Sequence, residues 1–209
     1  PLRRQRQMCI RDRFIFLSGV LGEKETSRLF KLYCVGTSKK WGGSTVFWQI
    51  DRQGKVRAGK IMLYNPTTGH RVKEPRSYVS WVHTELELEH FNMKQCLFGE
   101  HLLAGYPTKA VAIVESEKSA LVASHFMPDF VWLATGGIHG CFKADTVGVL
   151  KNHAVILCPD LGAKMVWQEE VQLLSSVCSK VVFSEKLEQC ATNEQREKGL
   201  DIALSLIHI

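Results

Sequence analysis

The chain has 209 residues, 45% of them hydrophobic, which suits one large or two small globular domains. Its net charge of +6 is misleading, because residues 1–13 carry +4 and the remainder only +2. Bulk charge therefore gives no argument for nucleic-acid binding, which has to come from local patches. No apolar run approaches the ~18 residues of a membrane span, and no signal peptide is evident, so we expect no membrane partner.

The seven cysteines are scattered and include no C-x-x-C pair. This spacing argues against a zinc ribbon and a disulfide framework, so we expect no zinc in this fragment and a cytoplasmic location. Both ends look non-native: residues 1–13 are a basic stretch rich in Arg and Gln, and residues 204–209 resemble an appended peptide. A basic arm that binds phosphates is the alternative for the first. We leave both tails out of the predicted domains.

Residues 14–104 are predicted to form a small α+β region. Apolar residues at helical spacing, then β-forming runs on either side of a turn at Gly54, indicate a helix followed by a hairpin. Residues 95–103 are expected to form a short helix that leads into the second half. In chain order, the first helix and the three strands are predicted at 23–33, 44–50, 56–64 and 78–82.

The segment 60–76, which begins in the second strand of the hairpin, is basic and has a tyrosine near each end, Tyr64 and Tyr78. Basic side chains interleaved with aromatic rings suit single-stranded DNA or RNA, because the cations attract the phosphates and the rings stack on bases. A solvated hairpin face explains the same pattern equally well. The candidate nucleic-acid-binding residues in this segment are Lys60, Arg71, Lys73 and Arg76.

Residues 105–203 alternate between strands and helices, which predicts an α/β domain with a mostly parallel sheet covered on both faces. Neither a G-x-G-x-x-G fingerprint nor a phosphate-binding P-loop is present, so both of those nucleotide sites are disfavoured. Gly136 and Gly137 follow a strand and either let a phosphate approach or form a plain tight turn. The strands are predicted at 111–114, 131–134, 154–158 and 180–184, and the helices at 117–126, 164–177 and 193–203.

Two carboxylates follow buried strands of this region. Glu115 ends the run 111–114, and Ser116 behind it is a good helix N-cap; Asp160 follows the run 154–158 in the same way. Parallel strands would bring the two acids together at the edge of the sheet where ligands bind. Such a pair suits a divalent metal with phosphate oxygens as further ligands, although an acid after a strand is also an ordinary loop start.

These residues resemble a known family. The half from Ala110 to Ala203 is similar to the Toprim domain of topoisomerases, primases and certain nucleases, whose E-G-x-x-D/T-A and D-x-D motifs match Glu115–Ala120 and Asp160–Gly162. The wider stretch 14–203 resembles Toprim-containing, primase-like proteins of unknown function from mobile elements of Bacteroidetes. That closer resemblance depends on residues 98–103, 114–118, 133–137 and 158–163.

The resemblance implies a four-stranded parallel sheet flanked by helices, and it implies roles for single residues. Glu115 would act as general acid/base and metal ligand, and Asp160 as the first ligand of Mg²⁺ or Mn²⁺. Asp201 matches a late acidic motif and would complete the metal site. Lys118, as a further catalytic residue, and Lys164 would contact phosphates as point charges.

Two departures from the motifs lead to three interpretations. Gly162 stands where the second Asp of D-x-D is expected, and Ser116 replaces the Gly after the Glu. The first interpretation is a primase-like protein that transfers nucleotides in DNA replication, alongside a helicase or another replication partner. The second is a non-catalytic module that only binds nucleic acid, which Gly162 favours. The third is a Toprim nuclease that uses the same Glu115 and Asp160.

Overall fold

The computed structural model describes residues 12–197 and 199–207, so most of the basic stretch at 1–13 lies outside the described residues. The chain divides into two compact units. The first takes in the described residues up to Gln49 together with Val56–Lys94. The second takes in Ile50–Lys55 and the described residues from Gln95 onwards. None of the described helices combines the length and the apolar character needed to cross a membrane.

The first unit is built on a four-stranded sheet in the order β1-β2-β3-β4. The predicted hairpin is confirmed as β2 and β3, neighbours in that sheet, and β4 pairs antiparallel with β3. The helix predicted at 23–33 is also present, and it buries Leu29 and Phe30 on one face. The elements are α1 (Asp12–Leu21), α2 (Glu23–Leu32), β1 (Gly36–Ser38), β2 (Ser44–Ile50), β3 (Val56–Met62), β4 (Val79–Trp81) and α3 (Val82–Glu85).

The second unit contains the predicted Toprim-like sheet of four parallel strands, in the order β6-β5-β7-β8. Every residue of β5 is buried, as expected of a central strand covered on both faces. The strands are β5 (Val111–Val114), β6 (Val131–Ala134), β7 (Ala154–Leu157) and β8 (Lys180–Phe183). The helices are α4 (Glu117–Phe126), α5 (Ala144–Val147), α6 (Lys164–Gln168), α7 (Val171–Ser175), α8 (Lys186–Cys190), α9 (Asn193–Glu197) and α10 (Ile202–Ile207).

Two long helices predicted in the second half are interrupted. The helix expected at 164–177 divides into α6 and α7 at Glu169 and Glu170, whose backbone stays right-handed. Trp167 in the first segment is fully buried and donates its indole N–H to the carbonyl of Ile138 at 3.0 Å. The helix expected at 193–203 divides into α9 and α10 around Gly199, whose φ of 60° ends the first segment. The second segment runs on to Ile207, so part of the predicted tail is helical.

The short helix predicted at 95–103 is instead a 3₁₀ turn over Glu100–Ala104. The residues before it are extended, since Phe98 and Ala134 exchange backbone hydrogen bonds of 2.9 and 3.1 Å. This bridge adds Phe98 to the edge of the sheet beside β6. A long-range pairing therefore decides the conformation, and local helix propensity does not.

Candidate functional site

Glu115 lies at the junction between β5 and α4. Ser116 is the N-cap, as predicted: its backbone is extended, and its hydroxyl oxygen accepts a hydrogen bond of 3.1 Å from the backbone N–H of Ser119. The chain therefore turns sharply after Glu115 and enters the helix. This turn leaves the carboxylate at the carboxyl end of the central strand, where an open α/β sheet binds its ligands.

Asp160 lies next to Glu115, as the parallel topology predicted. Strands β5 and β7 are neighbours, with Ile113 opposite Leu157. The backbone N–H of Asp160 donates to Glu115 Oε1 at 3.3 Å. One carboxylate oxygen of Asp160, Oδ1, is buried and has no hydrogen-bond partner among the described residues. A buried carboxylate oxygen without a donor is costly, so this atom is suited to accept a cation or a hydrogen-bond donor.

Asp201 reaches the same sheet edge but is already engaged. Its Oδ2 lies 2.6 Å from the ammonium of Lys118, and these two side chains are only 13% and 11% exposed. Its Oδ1 accepts a hydrogen bond of 2.8 Å from the backbone N–H of Leu204 at the start of α10. Helix α10 packs on α4, which brings Asp201 to the lysine in the first turn of α4. Asp201 as a metal ligand stays a prediction, and in the structure its partner is Lys118.

Burial and mutual repulsion raise the pKa values of the clustered acids. Burial, together with the negative charges of Glu115 and Asp201, raises the pKa of Asp160 to about 8, and Lys118 opposes the rise. Burial also raises the pKa of Glu115, although the hydrogen bond from the Asp160 backbone opposes this shift. Carboxyl groups with raised pKa values are suited to accept and return protons near neutral pH.

Metal-binding geometry is incomplete in the described part of the chain. Within residues 12–197 and 199–207, no group of three or more His, Cys, Asp or Glu side chains is arranged to hold a metal ion. Gly162, at the position of the second motif Asp, has φ of 86° in a tight turn and supplies no ligand. Glu115 and Asp160 are thus the pair available for a cation while Lys118 occupies Asp201.

The glycine loop after β6 is a tightly closed turn. The N–H of Gly136 donates to the carbonyl of Glu115 at 2.9 Å, and the N–H of Gly140 donates to the carbonyl of Gly137 at 3.0 Å. The hydroxyl of Thr135 also donates to Gly137 O at 2.7 Å. The Gly136 N–H is therefore already bonded to the residue that follows β5, which favours the plain-turn interpretation. A phosphate contact at Gly136 and Gly137 stays a prediction.

His139 lies on the same loop and was not assigned to the site from the sequence. The residue is solvent-exposed, and its electrostatic influence is one of the smaller contributions that lower the pKa of Glu115. The histidines of the chain have no ligand-like spacing, and periodicity gives no signal for this one. The usable signal is topological: a loop that follows a strand beside β5 ends at the same sheet edge as Glu115.

Lys164 lies at the start of α6 and pairs away from the acids. Its ammonium is 2.7 Å from Glu185 Oε1, in a pair whose side chains are 38% and 51% exposed. It also lies 5.7 Å from the ring centre of Phe183. In the structure Lys164 is therefore paired with Glu185, and its contact with a phosphate stays a prediction.

The basic residues predicted to bind nucleic acid lie on or beside the sheet of the first unit. Lys60 is in β3, opposite Trp81 in the ladder. Arg71 forms an isolated antiparallel bridge with Tyr64 through the backbone. The side chains of Arg71, Lys73 and Arg76 are exposed, whereas Lys60 is only partly exposed. Tyr64 is buried and cannot stack on a base, so only part of the predicted face is accessible to solvent.

Comparison with known proteins gives a family and a fold. The chain matches the model of the family described as Domain of unknown function (DUF6371) over residues 12–161, a range that includes Glu115, Lys118 and Asp160. No curated protein matches the chain. The crystal structure of the primase fragment of the bacteriophage T7 primase-helicase protein is similar, with a TM-score of 0.54 and 16% identity over 90% of this chain and 74% of that one.

Two further solved structures are primase domains with lower scores. The Aquifex aeolicus primase (zinc binding and RNA polymerase domains) has a TM-score of 0.47 and 14% identity, covering 92% of this chain and 48% of that one. The E. coli primase catalytic core has a TM-score of 0.43 and 12% identity, covering 92% and 66%. The likeness to the T7 fragment is a likeness of fold, and it agrees with the parallel sheet described above.

Proposed function

We propose that this chain, which belongs to the DUF6371 family of domains of unknown function, is a primase-like protein that binds single-stranded nucleic acid and carries out metal-dependent nucleotidyl or phosphoryl transfer in DNA replication. The observation that carries the proposal is the pair Glu115 and Asp160 at the end of adjacent parallel strands, with Asp160 Oδ1 buried and unpartnered. The primase-like fold supports the proposal.

Glu115 and Asp160 offer two of the ligands that a divalent cation needs. Carboxylate oxygens are the ligands that Mg²⁺ prefers, and the buried Oδ1 of Asp160 lacks a partner that a cation would provide. Glu115 and Asp160 would hold Mg²⁺ or Mn²⁺, and Asp201 would join them if Lys118 released it. When bound, the ion supplies positive charge that neutralises the phosphate oxygens during transfer.

The protein's own residues would divide the remaining work. Glu115, with its raised pKa, is suited to take a proton from an attacking hydroxyl and to return one to a leaving oxygen. Lys118 lies one helical turn away, and its ammonium would contact a phosphate if it left Asp201. The exposed cations of the first unit, Arg71, Lys73 and Arg76, would attract the strand.

A non-catalytic nucleic-acid-binding module is the second candidate. The ion pair between Lys118 and Asp201 and the glycine at position 162 favour it, because both remove ligands from the metal site. In this case Lys118 replaces the missing cation permanently, and the sheet edge has a structural role only. Metal binding separates the two candidates.

Mg²⁺ and Mn²⁺ should be titrated into the full 209-residue chain by calorimetry, in parallel with Glu115→Gln and Asp160→Asn. We expect saturable binding that each substitution weakens at least about tenfold, because each removes a charged ligand. Asp129→Asn, a change at an exposed carboxylate, is the matched control and should leave binding unchanged. Absence of binding at millimolar metal would rule out the catalytic proposal and leave the binding module.

Nucleotide transfer and strand cleavage need separate assays. Primer synthesis on a single-stranded template with ribonucleotides tests the primase activity, and nicking of a labelled duplex tests a nuclease that uses the same acids. We expect primer synthesis that Glu115→Gln abolishes. Cleavage without primer synthesis would show that the protein is a nuclease and not a primase.

The biological setting is part of the same proposal. The T7 fragment comes from a primase-helicase protein, and we propose that this chain likewise works beside a helicase or another replication partner, on a mobile genetic element of Bacteroidetes and in the cytoplasm. Copurification of a helicase encoded beside the gene would support the partnership. Copurification of no replication protein would argue against it.

A further inference from the structure

An aromatic pair in the first unit lies next to the predicted cationic face. The rings of Trp41 and Tyr78 meet edge to face, with centroids 5.3 Å apart and an interplanar angle of 85°. Each ring carries a cation: Lys40 Nζ lies 5.0 Å from the Trp41 ring centre, and the Arg76 guanidinium 5.5 Å from that of Tyr78. Both rings are half-buried, so part of each surface reaches solvent.

The backbone at Trp41 is unusual for a large side chain. Its φ of 56° and ψ of 30° are left-handed, and Gly42 and Gly43 behind it also have positive φ, 81° and 127°. Bulky residues rarely adopt this conformation, and where they do, a functional constraint is a common reason. Burial in a core does not account for it, because the indole is not fully buried.

The neighbouring ion pair holds the indole in place. Lys40 is bonded to Glu85 of α3, and Glu85 also accepts a hydrogen bond of 2.5 Å from the hydroxyl of Ser80. Glu85 therefore neutralises the charge of Lys40, and Lys40 is suited to position the Trp41 ring. A phosphate at this site would need a different cation. Arg76 is exposed and lies over Tyr78, which makes it the available cation at this site.

More cations lie on the segment that pairs beside Tyr78. The backbone N–H of Leu63 donates to Tyr78 O, and the carbonyl of Leu63 accepts from Val72 N–H, so Val72 and Tyr78 are bonded to the same residue. Each of these partners lies about 5 Å from Leu63, so the segment with Arg71 and Lys73 lies within about 10 Å of the Tyr78 backbone, close enough to follow the backbone of a strand whose base rests on the rings. Aromatic rings beside a track of cations are the features that bind single strands without sequence preference.

We infer that Trp41 and Tyr78 form a base-stacking platform for single-stranded nucleic acid, with Arg76, Arg71 and Lys73 contacting its phosphates. This inference rests on the proposed function and adds Trp41, which the basic segment does not assign, as the partner of Tyr78. It concerns the first unit only and needs neither a metal nor the acids of the second unit.

The test compares bases with phosphates. Binding of a short oligothymidylate, and of an abasic oligonucleotide of equal length, is measured by fluorescence anisotropy for the whole chain and for Trp41→Leu and Tyr78→Leu. We expect each substitution to weaken oligothymidylate binding about tenfold and abasic binding less than about twofold, because only the first strand has bases to stack. Trp41→Phe, which keeps a ring, should retain most of the affinity.

Tyr106→Leu is the matched control, because Tyr106 is 45% exposed and has Lys109 over its ring at 4.9 Å, the same geometry elsewhere in the chain. It should change neither affinity. Equal weakening of both strands, or unchanged oligothymidylate binding in folded variants, would overturn the platform and leave the proposed function standing. Failure of the unmodified chain to bind either strand would overturn both. Thermal melts of each variant confirm that the fold is retained.

Discussion

At the edge of the parallel sheet, charged side chains are buried together, whereas on the antiparallel sheet they lie in solvent beside aromatic rings. The first set, Glu115, Asp160 and the pair Lys118 with Asp201, is dense and mostly acidic. The second, which includes Arg71 and Arg76, is exposed and cationic. Buried charges interact strongly and are costly to unbalance, while exposed charges are screened and act almost additively. The two sites should therefore respond differently to mutation, pH and salt.

The sharpest contrast comes from breaking one ion pair in each environment. Lys118→Met leaves the Asp201 carboxylate largely buried without its partner, and we expect the free energy of unfolding to fall by about 3 kcal/mol. Lys164→Met removes the exposed pair with Glu185 and should cost less than about 1 kcal/mol. Urea unfolding at neutral pH measures both. Similar losses of unfolding free energy for the two variants would show that the pair of Lys118 with Asp201 behaves like an exposed ion pair.

A steric change tests whether the loop beside the acids is as rigid as its hydrogen bonds indicate. A Cβ at Gly140 would lie 2.1 Å from the backbone oxygen of Thr135, so Gly140→Ala has to displace the loop. We expect a loss of about 2 kcal/mol, measured by urea unfolding, and weaker metal binding at Glu115.

Gly148→Ala is the control for that experiment. Its Cβ would meet no atom within 4 Å, and its backbone is helical, with φ of −55°. The exchange should be neutral or stabilise the protein by up to about 1 kcal/mol, because alanine restricts the unfolded chain. A loss at Gly148 as large as that at Gly140 would show that steric contact is not the cause.

The difference between the two sites also explains what the sequence could predict. Strand β5, helix α4 and the cap at Ser116 follow from local pattern, and the contact of Asp160 with Glu115 follows from parallel topology, so these predictions are confirmed. The four-stranded parallel sheet that the Toprim resemblance implied is likewise present. The local predictions need only the pattern of neighbouring residues, and the topological ones need only the rule that strand–helix–strand units form parallel sheets.

The contacts that escaped prediction depend on packing between distant segments. The pair of Lys118 with Asp201 exists because α10 packs on α4, and neither helix alone signals it. Trp41 contacts Tyr78 from a turn with left-handed backbone. The type of residue at position 41 does not reveal this backbone conformation. Such tertiary contacts override local propensity, and single-sequence patterns do not encode them.

A change of pH should separate the buried site from the exposed one. Because burial raises the pKa of Asp160 to about 8, the folded protein keeps a proton that the unfolded chain releases near the ordinary value of 3.8. The free energy of unfolding therefore falls as pH rises from about 4 to about 8. Asp160→Asn removes this dependence and should stabilise the protein by about 2 kcal/mol at pH 8, with little effect at pH 4.

Urea midpoints at several pH values measure this effect, and Asp129→Asn serves as the exposed control with no expected change in slope. Added Mg²⁺ should stabilise the unmodified protein at pH 8 more than Asp160→Asn, since the cation needs the ionised carboxylate. A pH profile that is the same for Asp160→Asn and the unmodified chain would mean that this acid is not held protonated by its surroundings.

Salt gives the smallest effect and tests the exposed site alone. Arg71→Gln removes one exposed cation, and we expect affinity for a short single strand to fall only a few-fold, by less than about 1 kcal/mol, while the slope of log affinity against log salt shrinks by about 0.7. Lys24→Gln makes the same charge change at an exposed position of α2 and should leave the slope unchanged. If both variants reduce the slope equally, binding depends on the net charge of the protein. A localised phosphate contact at Arg71 predicts that only Arg71→Gln reduces the slope.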